Sequence, residues 1–160
     1  MTNPLLHKIA AEIEVFAGMT ESLAVLEDFT VKLMASRLPY YNWVGFYWLD
    51  PDDAEMLVLG AYAGAPTEHT RIPVSRGICG AAVAEDKTII VDDVAADPRY
   101  LACSIETRSE MVAPIHVRGK IAGEIDIDSH SAAAFGPEDQ AFLERCARVI
   151  GAFMERTQLS

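Results

Sequence analysis

Side chains point alternately to the two sides of an extended backbone, and the stretch 121–128 makes that alternation complete. Ile121, Ile125 and Ile127 fall on one side, and Glu124, Asp126 and Asp128 on the other. A strand of this kind belongs in a sheet with one face against an apolar layer. The opposite face must then accommodate three carboxylates in a row, whose mutual repulsion raises their pKa values unless a cation lies nearby. Runs of charge usually face water, so a solvated surface is the plain reading of such a row. Against it stands Glu110, a fourth acid, which opens the otherwise apolar segment 111–115 on the neighbouring strand. Four acids around one site cost stability without a compensating ligand.

The surrounding chain supplies the layers. Leu5, Ile9, Ile13 and Phe16 recur at helical spacing until Gly18. A second helix capped by Thr20 buries Leu23, Leu26, Thr30, Leu33 and Met34 before Pro39 stops it. Residues 42–49 and 55–63 form a hairpin about an aspartate-rich turn, and a second hairpin joins 110–117 to 120–129 about Arg118 and Gly119. Between the hairpins lie the glycine-spaced segment Gly77-Ile78-Cys79-Gly80, an alanine-rich short helix, a strand at 88–91 and a polar loop at 92–109. Pro137 starts a last helix with Phe142, Cys146, Val149, Ile150 and Phe153 on one face. The order predicts an α/β domain of the α+β kind: a central antiparallel sheet with helices on one face and a loop-covered ligand pocket on the other.

Size and charge narrow the function. One domain spanning 1–160 suits a chain of 160 residues. A formal net charge of -11 disfavours nucleic acid and anionic membrane surfaces, because phosphate binding depends on Lys and Arg. No apolar run approaches the roughly 20 residues of a membrane helix, and the start of the chain lacks a secretion signal, so the expected location is the cytoplasm. The three cysteines, Cys79, Cys103 and Cys146, are an odd number without a CxxC pair. They fit neither a disulfide framework nor a zinc site, and reduced thiols are the default. Cys146 belongs to the apolar stripe of the last helix. Cys103 instead lies in the polar loop, with Arg99 and Arg108 on either side, and a cationic neighbour would favour its thiolate.

Several segments together resemble a known family. Asn42-Trp43-Val44-Gly45-Phe46-Tyr47, Arg71-Ile72-Pro73, Arg76 to Gly80, Ala102-Cys103, Ser109-Glu110-Met111-Val112 and Gly123 to Ser129 are similar to the free methionine-(R)-sulfoxide reductases, which are single GAF domains. The resemblance implies Cys103 as the catalytic cysteine, Glu110 as a conserved acid, and Asp126 and Asp128 as the aspartates that hold the substrate. It also implies Trp43 and Tyr47 as aromatic residues of the pocket. Where the family carries a further, resolving cysteine, ten residues before Cys79, this chain has His69. Cys79 is then the thiol left to close the cycle, unless an external thiol does so. Glu124 stands where the family tends to be apolar.

The implied reaction reduces free L-methionine-(R)-sulfoxide through a cysteine sulfenic acid, with thioredoxin or another small thiol as reductant, without cofactor or metal. Pairing of two copies through terminal helices, common among GAF domains, is a further expectation. The alternative is a non-catalytic GAF sensor for a small amino-acid-like or cationic ligand, although the asparagine-lysine-phenylalanine-aspartate signature of cyclic-nucleotide binders is absent. A metal enzyme is the weakest reading, since His116 and His130 form no recognisable ligand spacing with the acids.

Overall fold

A computed structural model describes residues 3–100 and 105–158. Helix α1, Pro4–Ala17, begins where Asn3 accepts hydrogen bonds from the Leu5 and Leu6 amides and Pro4 occupies the first turn. Helix α2, Leu23–Arg37, is capped by Ser22, which accepts from the Val25 amide. Thr20, the expected cap, lies two residues earlier and accepts from the Ser22 amide. The buried side of α2 is Leu26, Glu27, Thr30, Val31 and Met34, while Leu23 and Leu33 are only partly covered.

Six strands follow: β1 (Trp43–Asp50), β2 (Asp53–Ala63), β3 (Arg71–Pro73), β4 (Ile89–Val91), β5 (Ser109–Val117) and β6 (Lys120–Ser129). They form one sheet in the order β3-β2-β1-β6-β5-β4, every pair antiparallel. The alternating strand β6 therefore lies at the centre, between β1 and β5. Helix α3 (Gly77–Glu85) and a 3-10 turn (Val94–Ala96) sit between β3 and β5 in sequence, and α4 (Pro137–Thr157) closes the chain.

Two apolar clusters lie on opposite faces of this sheet. Ile125 and Ile127 join Val44, Phe46, Met111, Ala113 and Ile115 against α1, α2 and α4, where Phe142, Cys146, Ile150 and Phe153 are buried. Helix α4 approaches β5 closely at Gly151, where a Cβ would collide with the His116 carbonyl oxygen. Glu27 ties α2 to the β1–β2 hairpin, accepting from Trp48 Nε1 at 2.9 Å and from the Ala61 amide at 3.1 Å.

The second cluster gathers Trp43, Tyr47, Leu57, Ile72, Ile78, Cys79, Ala82, Ile89, Val91, Val94 and Val112. Here the architecture is fuller than the expectation of a face covered by loops. Helix α3 packs there as well, with Ile78, Cys79 and Ala82 buried. An alanine-rich helix has no distinct apolar stripe, so its sequence does not announce which face it covers. Among the described residues no helix is long and apolar enough to cross a membrane.

Candidate active site

The acids meet on the second face through strand register. Trp43 pairs with Asp128, Gly45 with Asp126 and Tyr47 with Glu124. On the other flank Glu110 stands opposite Asp128 and Val112 opposite Asp126. All these positions share one face, so the carboxylates of β6 are bounded by aromatic rings on one side and by Glu110 and Val112 on the other.

The face is not wet. Glu124 is 0% exposed, Asp126 1%, Asp128 2% and Glu110 3%. Both carboxylate oxygens of Glu124, both of Asp126 and Oδ1 of Asp128 have no hydrogen-bond partner among the described residues. Burial pushes the Glu124, Asp126 and Asp128 carboxyls above their ordinary range, and the charge of Asp126 adds to the rise at Asp128. A buried carboxylate without a partner is among the most unfavourable groups a fold can carry. The row is therefore poised either to keep protons or to receive a cation.

Helix α3 brings the thiol. It starts at Gly77, whose φ of 71° is a left-handed conformation suited to glycine. The turn there points Cys79, 4% exposed, at the acids. One ligand atom each from Cys79, Glu110 and Asp126 lie within 4.8 Å of one another. Burial pushes the Cys79 thiol well up, and the charges of Asp126, Glu124 and Glu110 push it further. Cys79 is accordingly a protonated thiol rather than a nucleophile at rest. Cys146 lies on the other side of the sheet, where burial pushes its thiol up to about 12.

Trp43 and Tyr47 frame the opposite wall with rings 6.3 Å apart and inclined by 28°. Both are held from outside: Trp43 Nε1 donates to the Ala65 carbonyl at 3.0 Å, and the Tyr47 hydroxyl donates to the His69 carbonyl at 2.7 Å. The loop carrying His69 thus orients a ring beside the acids through its backbone. Gly45 allows this wall to close, because a Cβ there would strike the Trp43 ring. A glycine inside a strand is the signal that could have marked this close approach.

Arg99, His116 and His130 are engaged away from the acids. Arg99 is not a free cation beside the cysteine loop, because it pairs with Asp97 at 2.8 Å and with Glu85 at 3.2 Å on the surface. His116 and His130 stand apart from the acids, facing Asp86 and Glu106 respectively. Cys103 itself lies outside the described residues.

Known proteins share this sequence and fold over most of the chain. The model of the GAF domain matches residues 3–153. The free methionine-R-sulfoxide reductase of Escherichia coli (strain K12) is 40% identical over 129 residues, 81% of this chain and 75% of that protein. The structure of the Neisseria meningitidis free methionine-R-sulfoxide reductase in complex with its substrate superposes with a TM-score of 0.91 at 30% identity, covering 98% of this chain and 93% of that one. The Staphylococcus aureus fRMsr in complex with substrate gives 0.85 at 30% identity, covering 96% and 97%. Similarity of sequence and fold over nearly the full length places the chain among the GAF-domain proteins, as a member of the free methionine-R-sulfoxide reductase family.

Proposed function

We propose that this chain, acting as one GAF domain, reduces free L-methionine-(R)-sulfoxide to methionine. The observation that carries the reading is the buried row of carboxylates Glu124, Asp126 and Asp128, most of whose oxygens have no hydrogen-bond partner among the described residues, faced by Glu110. A free amino acid brings an α-ammonium group that such a row can neutralise, whereas a peptide-linked methionine has no charge there. Its side chain then lies along the wall of Trp43 and Tyr47.

The chemistry follows from the groups assigned to the site. The Cys103 thiolate bonds to the sulfoxide sulfur while a buried carboxyl that has kept its proton protonates the sulfoxide oxygen, and the hydroxyl then passes to the cysteine sulfur as the transient S–S bond breaks. Methionine leaves with two electrons gained, and Cys103 becomes a sulfenic acid. Cys79 resolves it: its sulfur bonds to the Cys103 sulfur, its proton leaves with the hydroxyl as water, and a disulfide forms. A dithiol such as thioredoxin reduces that disulfide by exchange. A resolving thiol that stays protonated at rest is protected from premature oxidation. The need for a thiol reductant fits the cytoplasm, and exposed Leu5 and Val15 on α1, with Met19 just beyond its end, offer apolar surface for pairing of two copies.

The test is turnover of free L-methionine-(R)-sulfoxide with thioredoxin or dithiothreitol. The expected result is loss of turnover in Cys103→Ser. The N-acetylated sulfoxide should be slower in kcat/KM by about 100-fold, the scale of breaking a buried charge pair at about 3 kcal/mol. Turnover that survives Cys103→Ser, or that is equal for the acetylated compound, would refute the reading. A sensor would instead be stabilised by methionine while consuming no sulfoxide; the presence of His69 in place of a third pocket-side cysteine favours keeping that arm in the experiment.

A further inference from the structure

The pocket's donors also suit an ion. The thiol of Cys79 and one carboxylate oxygen each from Glu110 and Asp126 cluster within 4.8 Å, all buried. They come from α3, β5 and β6, three separate elements, which is why no ligand spacing is visible in the sequence. A second observation points the same way: Glu124, fully buried beside Cys79 and Asp126, has both oxygens unpartnered among the described residues. One sulfur with two or three carboxylate oxygens is a donor set for a borderline divalent ion. Neither the hard cations, which take oxygen alone, nor the soft monovalent ones match it as well. On a tetrahedral zinc ion, Zn–S of about 2.3 Å and Zn–O of about 2.0 Å set neighbouring ligands roughly 3.5 Å apart. Side-chain shifts of about 1 Å bring this cluster to that spacing.

We propose that the acid pocket is a binding site for zinc(II), held by Cys79, Glu110 and Asp126 with Glu124 adjacent, and that zinc excludes the ammonium group of an amino-acid ligand from the same carboxylates. Binding replaces the thiol proton: Cys79 S–H gives a sulfur–zinc bond and one proton released to solvent, together with any proton the carboxyls hold. The ion brings two positive charges to a row that otherwise repels itself. Zinc is thereby a direct competitor of free methionine, and the occupied pocket withdraws Cys79 from disulfide formation. The proposal rests on the pocket's donors and not on turnover.

Cobalt(II), a spectroscopic substitute for zinc, tests it on the full reduced chain in a phosphine reductant without sulfoxide. Titration should give a sulfur-to-cobalt charge-transfer band saturating at one ion per chain, displaced by zinc and weakened by excess free methionine. The band should survive Cys146→Ser and Cys103→Ser, and disappear in Cys79→Ser. In Asp126→Asn and Glu110→Gln the affinity should fall at least about tenfold. Circular dichroism and a thermal melt establish that each variant is folded, and the wild-type titration is informative alone. No band in the wild type would overturn the proposal. So would a band that persists without Cys79, one that vanishes with Cys103, or affinities in both carboxylate variants equal to wild type. Because no step requires sulfoxide, a chain that fails to reduce it can still bind the ion, and the reverse.

Discussion

Asp126 illustrates how a single residue can weaken the molecule that needs it. Its carboxyl is buried, lacks a partner among the described residues, and is held above the usual range by burial. The folded chain keeps a proton that the unfolded chain releases near pH 4. Stability from this group is therefore complete below about pH 4 and declines as pH rises through the folded value, at about 1.4 kcal/mol per pH unit for each proton retained. Glu124 and Asp128 have the same sign. Asp126→Asn should consequently raise the ligand-free melting temperature at pH 8, by the equivalent of about 1 kcal/mol or more, and change it little at pH 4. The same substitution should lower kcat/KM for the free sulfoxide by about 100-fold through loss of a charge partner for the ammonium group. Melting curves across pH and steady-state kinetics check the two halves separately. A stability difference that shrinks toward alkaline pH would contradict the buried-acid account.

The elements differ in how openly their sequences declare them. Strand β6 could be read with its faces assigned, because the isoleucines and acids alternate without interruption and a sheet has no other period. Helices α1 and α4 were equally plain from their stripes. Strand β3 was not, since three residues, Arg71–Pro73, carry no pattern and are fixed only by pairing with Met56, Leu57 and Val58. Placement of Cys79 among the acids was hidden for a similar reason: it depends on the left-handed turn at Gly77 and on α3 crossing to the second face. The pairing of Arg99 was equally hidden, because Asp97, two residues away, engages it locally. Two contacts between elements can be tested. Gly151→Ala should cost about 1 to 3 kcal/mol in denaturant unfolding, since the new methyl meets the His116 carbonyl and pushes α4 from β5. Glu27→Ala should cost about 2 to 4 kcal/mol, leaving the Trp48 indole and the Ala61 amide as unanswered donors. An effect under about 0.5 kcal/mol in either would mean the elements relax around the change.

For the whole molecule, pocket and stability are linked through occupancy. Free methionine at 100 times its dissociation constant at pH 8 should stabilise Cys103→Ser by about 2.7 kcal/mol, and at that same concentration the rise in melting temperature should shrink toward pH 5 as the carboxyls lose the charge that meets the ammonium group. A shift independent of pH would remove the acids from the binding account. The arrangement of β6 has one more consequence, and it concerns assembly. Sliding this central strand by a single residue against β1 or β5 would thrust Glu124, Asp126 and Asp128 among the helices and turn Ile125 and Ile127 toward Cys79. Every such mispairing forfeits both layers at once, so the same acids that receive a ligand also proofread the sheet as it forms.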